Sequence, residues 1–117
     1  SVTAQSLANL GLLLANDGMN PYGGGRLLES DTVRVVKTIM LTCGMYDGSG
    51  EFAVRVGLPT KSGVGGGLLS LADGKMGIGI YGPALDAKGN SIAGEQMLRY
   101  LSAQLHLHLF DGYRQNV

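Results

Sequence analysis

Two stretches concentrate the side chains able to do chemistry. The first is Thr42-Cys43-Gly44-Met45-Tyr46-Asp47. The second runs Val56-Gly57-Leu58-Pro59-Thr60-Lys61-Ser62-Gly63-Val64-Gly65-Gly66-Gly67. In the second, Lys61, Ser62 and Gly63 lead into a predicted strand. A lysine ammonium beside a hydroxyl can grip a substrate carboxylate or tune a nearby hydroxyl. Glycine next to them lets the strand edge lie against a substrate, and a free backbone N–H there can stabilise an oxyanion. Taken alone, Lys-Ser-Gly is a common tripeptide, and on pattern alone Lys61 and Ser62 read as turn residues before a strand. On the same footing Tyr46 reads as a half-buried loop tyrosine with one hydrogen bond.

Other motif readings fail on inspection. Thr60-Lys61-Ser62 imitates the end of a phosphate-binding loop, but that loop needs Gly at position 60 and another where Arg55 stands. Gly63-x-Gly65-x-x-Leu68 lacks its third Gly and precedes a strand, which argues against dinucleotide binding. Cys43 follows a helix and reads as a buried structural thiol. His106 and His108 lie two apart on a predicted helix and so point to different sides, a poor start for a metal site. The acidic residues are scattered.

The elements that must position these residues can be read from periodicity and turn signals. Thr3 or Ser1 can cap a first helix to about Asn16, with Leu7, Leu10, Leu13 and Leu14 on its apolar face. Asn20-Pro21 and Gly23-Gly24-Gly25 read as loop. Ser30 and Asp31 look like the cap and first turn of a second helix whose buried side is Val33, Val36, Ile39 and Met40. Glu51 to Val56 suits a short helix. Leu68 to Leu71 and Met76 to Tyr81 suit strands, joined by Asp73-Gly74, whose two residues can both take positive φ. The predicted hairpin covers about 64–82. Met76, Ile78 and Ile80 share one face of its second strand; Gly77 and Gly79 share the other, inviting close approach. Asn90 or Ser91 can cap a last helix, about 91–109, with Ile92, Leu98, Leu101, Leu105 and Leu109 as apolar positions. Two strands make a poor sheet in water, so the rest of the sheet is expected from another segment or chain.

Composition sets the outer limits. The 117 residues are 44% hydrophobic and 15% charged, enough for a packed core. Nine basic residues balance nine acidic ones, which removes the electrostatic footprint of a nucleic-acid binder and leaves little charge against self-association. No apolar run approaches the ~18 residues of a membrane span. The single cysteine fits a reducing compartment such as the cytoplasm. The chain opens at Ser1, directly in a helical pattern, so a processed or truncated chain is expected.

The two stretches acquire specificity together with Lys75-Met76-Gly77-Ile78 and Pro83-Ala84-Leu85-Asp86-Ala87-Lys88-Gly89-Asn90-Ser91. Lys61-Ser62-Gly63 resembles the Lys-Thr-Gly element of penicillin-binding proteins and serine β-lactamases. The whole succession, from Ala15-Asn16-Asp17-Gly18 to Leu101-Ser102, closely resembles the glutaminases of that superfamily. The resemblance implies an α+β fold: the C-terminal portion of the serine β-lactamase/transpeptidase-like α/β/α layers, with an antiparallel sheet. It implies hydrolysis of L-glutamine to L-glutamate and ammonia through a serine acyl-enzyme, without metal or cofactor. It places Tyr46 beside nucleophile and substrate, and gives the Val64 N–H to the substrate carbonyl oxygen. Tyr46 would relay protons only with a cation beside it, for which Lys61 is the candidate. The candidate catalytic residues are thus Tyr46 and Lys61. The candidate substrate-binding residues are Tyr46, Ser62, Gly63 and Val64.

One departure matters. The family's nucleophile lies in a Ser-x-x-Lys motif. Three residues before the lysines here stand Arg34, Leu58, Ala72 and Leu85, and none is Ser. The chain alone is therefore expected to be an inactive fragment, partnered by the N-terminal part of the same enzyme, in a homo-oligomer. A penicillin-recognising serine hydrolase and a non-catalytic binding or assembly module are the alternatives.

Overall fold

Thr3 opens the first helix. Its Oγ1 accepts from the Ser6 N–H at 3.1 Å while Ser6 Oγ accepts from the Thr3 N–H at 2.8 Å, a reciprocal cap. The computed structural model describes residues 2–111. In order they form α1 (Ala4–Ala15), α2 (Ser30–Cys43), a 3₁₀ turn (Tyr46–Gly48), α3 (Ser49–Arg55), β1 (Thr60–Ser62), β2 (Gly67–Ala72), β3 (Met76–Tyr81) and α4 (Ile92–Leu105).

The strands make one antiparallel sheet in the order β1-β2-β3. Its third strand lies within the chain, contrary to the expectation of two. Thr60–Ser62 is short and polar, and carries no alternating apolar signal. It pairs through Thr60 opposite Ser70 and Ser62 opposite Leu68. Thr60 is fully buried, its Oγ1 2.8 Å from Ser70 Oγ and donating to Leu58 C=O at 3.0 Å. In the β2–β3 hairpin only Gly74 of the two turn residues has positive φ (72°), and the Lys75 N–H reaches Ala72 C=O at 2.9 Å. That is the pattern of a type II turn, which needs positive φ at its third position alone.

Successive β2 side chains serve opposite faces of the sheet. Leu68 and Ala72 join Ile80, Met45, Phe52, Val56, Leu58, Leu98 and Leu107 on one side. Leu71 joins Leu14, Ala15, Val33 and Met40 on the other. Helices α3 and α4 therefore cover one face and α1 and α2 the other. The glycine face of β3 receives the backbone of α1 itself. A Cβ at Gly79 would sit 1.9 Å from Ala4 O, and one at Gly77 would sit 2.0 Å from Ala8 O.

Several expectations need correction. On α2, Val33 and Met40 are buried, but Val36 and Ile39 face outward with Val35. Cys43 is exposed, not buried. The last helix ends at Leu105, where His106 turns left-handed (φ 53°), so His106 and His108 are not helical. Leu107 takes the buried place expected of Leu105 and Leu109. His108 lies against Gly57; its Nδ1 accepts from the Phe110 N–H at 3.1 Å and its Nε2 is 2.9 Å from Val54 C=O.

The N-cap of α2 is Glu29, and Ser30 instead donates its hydroxyl to Asp17, at 2.8 and 3.0 Å from the two carboxylate oxygens. That hydrogen bond, opposed by desolvation and aided by Arg26, holds the Asp17 carboxyl below its ordinary range. A depressed carboxylate stabilises the fold above its unfolded pKa, and the contribution is lost as pH falls through the folded value. Ser30→Ala is expected to move the Asp17 titration upward, as followed by carboxyl-carbon NMR. An unmoved titration would rule out the hydroxyl as its cause.

Candidate active site

The two chemical stretches meet where α2 ends and β1 begins. The Ser62 N–H donates to Gly44 C=O at 2.9 Å, so β1 runs directly beside the turn leaving α2. A Cβ on Gly44 would lie 1.8 Å from Thr60 O, and glycine is what allows this approach. Two residues on, Tyr46 takes a left-handed backbone conformation (φ 54°). For a residue with a Cβ this costs ~1–2 kcal/mol, so the surroundings must hold it. They do. Ser49 Oγ accepts from the Met45 N–H at 2.9 Å and donates to Tyr46 C=O at 2.8 Å. Asn90 Nδ2 donates to Met45 C=O at 2.8 Å.

The ring so directed lies beside the lysine. Lys61 Nζ is 4.8 Å from the Tyr46 ring centroid, a cation–π distance. The ammonium also donates to Ser62 C=O. The ring edge passes Gly89, where a Cβ would stand 3.6 Å from Tyr46 Cε2. Tyr46 is 40% exposed, so one side of this pair opens outward.

After β1 the chain turns within Gly63–Gly66. The Gly63 N–H donates to Gly67 C=O and the Gly66 N–H to Gly63 C=O, both at 3.0 Å. Val64 occupies this turn rather than a strand and is 81% exposed. Its N–H has no hydrogen-bond acceptor among the described residues, whereas that of Gly63 is committed. Ser62 points to the face opposite Lys61, is buried, and its hydroxyl has no partner among the described residues. The structure thus brings Tyr46, Lys61 and the Ser62 backbone together, and carries Val64 into the adjoining turn. The Ser62 hydroxyl alone faces inward.

The sequence marks Asn90 only as a possible helix cap. Ser91 fills that role, its Oγ accepting from the Gly94 N–H at 3.1 Å, and Asn90 is free to reach Met45. No spacing in the sequence links Asn90 to Tyr46, whereas Ser49 stands three residues after it.

Away from this pair, a concavity of about 300 Å³ lies between α3, the 86–88 segment and α4, with Phe52 and Val56 in its lining. Its rim carries Glu51, Asp86 and Glu95 against Arg55, Lys88 and Arg99. Burial first, then the charge of Asp86, raises the Glu95 carboxyl above its ordinary value. Among the described residues no group of three or more His, Cys, Asp or Glu side chains could hold a metal ion, and no helix is long and apolar enough to cross a membrane.

A family model described as Glutaminase matches residues 1–110. The chain belongs to the glutaminase family. Glutaminases of Clostridium botulinum (strain Hall) and Fusobacterium nucleatum are 57% and 58% identical to it over 109 and 108 residues. These matches cover 93% and 92% of this chain but 36% and 35% of the relatives, so the chain spans about a third of their length. A crystal structure of Bacillus subtilis glutaminase in covalent complex with 5-oxo-L-norleucine is 41% identical and superposes with a TM-score of 0.90, over 93% of this chain and 39% of that one. The α+β layering is thus that of the serine β-lactamase-like glutaminases.

Proposed function

We propose that this chain is the C-terminal part of an enzyme that hydrolyses L-glutamine to L-glutamate and ammonia through a serine acyl-enzyme. The nucleophilic serine and its lysine come from the N-terminal part. Serine attack on the carboxamide carbon breaks the C–N bond, and the serine proton leaves with ammonia. Water then hydrolyses the ester. Tyr46, beside Lys61, relays the proton. The Val64 N–H receives the carbonyl oxygen as it becomes an oxyanion, an interaction worth ~2.7–4 kcal/mol per donor in such sites. Gly63, and Ser62 through its backbone alone, complete the wall on the substrate side.

The observation that carries this reading is the pairing of Tyr46 with Lys61 at 4.8 Å, next to a turn whose Val64 amide is uncommitted. A cytoplasmic setting and a homo-oligomer belong to the same reading. The chain carries a single cysteine, Cys43, which is exposed, and Val35 and Ile39 expose apolar surface on α2.

The test is ammonia release by the complete enzyme and by this chain alone. The complete enzyme is expected to turn over L-glutamine and to leave a chromogenic β-lactam intact. The isolated chain is expected to release no ammonia above background, and to regain turnover when the N-terminal part is added. Turnover by the isolated chain, or hydrolysis of the β-lactam in place of glutamine, would overturn the reading.

A further inference from the structure

The Tyr46 backbone is braced by its own turn, through Ser49 and Gly48, and also by a segment more than forty residues away in sequence. Met45 C=O accepts from Asn90 Nδ2 at 2.8 Å as well as from the Gly48 N–H at 3.1 Å. Asn90 is fully buried. Its own place is set by Asp86, whose Oδ1 accepts from the Lys88 and Asn90 N–H groups at 2.9 and 3.1 Å. The Asp86 N–H and the Asn90 C=O close the same loop at 2.8 Å. Gly89, at φ 93°, borders the Tyr46 ring, and a Cβ there would touch its edge at 3.6 Å. Loop 86–90 therefore grips the residue before the tyrosine with an amide and borders the tyrosine ring with a glycine.

We infer that Asn90 is a positioning residue for the reaction: through its hydrogen bond to Met45 C=O it keeps Tyr46 in the left-handed conformation that aims the phenol past Lys61. The inference rests on the catalytic role proposed for Tyr46. Asn90 touches neither substrate nor the reacting atoms. Its effect must pass through Tyr46 and disappear when Tyr46 is removed.

That dependence supplies the test, in the complete enzyme. Asn90→Ala is expected to lower kcat by about 10–100-fold, the range typical of residues that orient a reacting group. KM for glutamine should stay within about twofold, because only the transition state loses an interaction. In a Tyr46→Phe background the same replacement should cost nothing further, whereas independent effects would multiply. A second readout does not depend on activity. With 3-fluorotyrosine incorporated, the ¹⁹F resonance of residue 46, assigned by its loss in Tyr46→Phe, should shift and broaden in Asn90→Ala. An unchanged kcat, or an equal loss in both backgrounds, would overturn the inference. If Tyr46→Phe itself proves fully active, the role given to Tyr46 fails, and the ¹⁹F signal alone decides the positioning: moved supports it, unmoved rejects it. If Asn90→Ala does not fold, Asn90→Ser is measured in its place, with the same expected and overturning results. If neither variant folds, Asn90 is a residue of the fold and the inference is rejected.

Discussion

Replacing Tyr46 by Phe in the complete enzyme is expected to lower kcat for glutamine by ~10²–10⁴-fold, the contribution usual for a positioned proton-transfer group. The change removes one oxygen and leaves the ring. The contact between Lys61 Nζ and the ring at 4.8 Å survives, as do the Ser49 and Asn90 bonds to the backbone. The protein should therefore fold as before, with an unchanged far-UV spectrum and a similar melting midpoint. KM should change much less than kcat, since a relay is needed only as bonds are made and broken. Steady-state ammonia release over a range of glutamine concentrations measures both. A Phe variant retaining most of the parent kcat would remove Tyr46 from the chemistry and reduce it to a wall of the site.

A large loss of stability is expected at the glycines of β3. A methyl group at Gly79 would lie 1.9 Å from Ala4 O and 2.8 Å from Ala8 N; at Gly77 it would lie 2.0 Å from Ala8 O and 2.2 Å from Leu12 N. These are main-chain atoms of α1, with no rotamer to yield. Gly11 faces them from the helix, and a Cβ there would come 2.5 Å from Ser70 O and 3.1 Å from Gly77 Cα. Gly79→Ala must lift α1 off the sheet, at the upper end of the ~1–3 kcal/mol that overpacking costs, or beyond it. The melting midpoint should fall by roughly 6–12 °C. Gly50→Ala is the control. It lies within α3, a Cβ there meets nothing within 4 Å, and the replacement should be neutral or stabilising by up to about 1 kcal/mol. Equal melting of Gly79→Ala and the parent would refute the close packing of α1 on β3.

The glycine face of β3 was legible because a period of two separates Gly77 and Gly79 from Met76, Ile78 and Ile80. The sequence could not say that the visitor is a helix backbone. The strand Thr60–Ser62 was illegible for the opposite reason: three polar residues carry no alternation, and their strand character comes only from pairing with β2. On α2, apolar residues occur on several sides. Helical spacing therefore did not reveal that Val33 and Met40 turn inward while Val36 and Ile39 turn out. In the site, the adjacency of Tyr46 and Lys61 followed from the resemblance of two motifs. The bracing by Asn90 did not, because a hydrogen bond between distant loops has no periodicity to betray it.

Strand β2 is greasy on both faces, so its hydrophobic pattern alone gives little reason to prefer one alignment over a shift by one residue. The buried hydroxyl pair of Thr60 and Ser70 supplies that reason. Sliding the strand by a single step would exchange Ser70 for a leucine on that face and part the two interior hydroxyls, at about 1–3 kcal/mol for a buried group left unpaired. A small polar peg in an oily seam thus keeps Lys61 and the turn after it indexed to Tyr46.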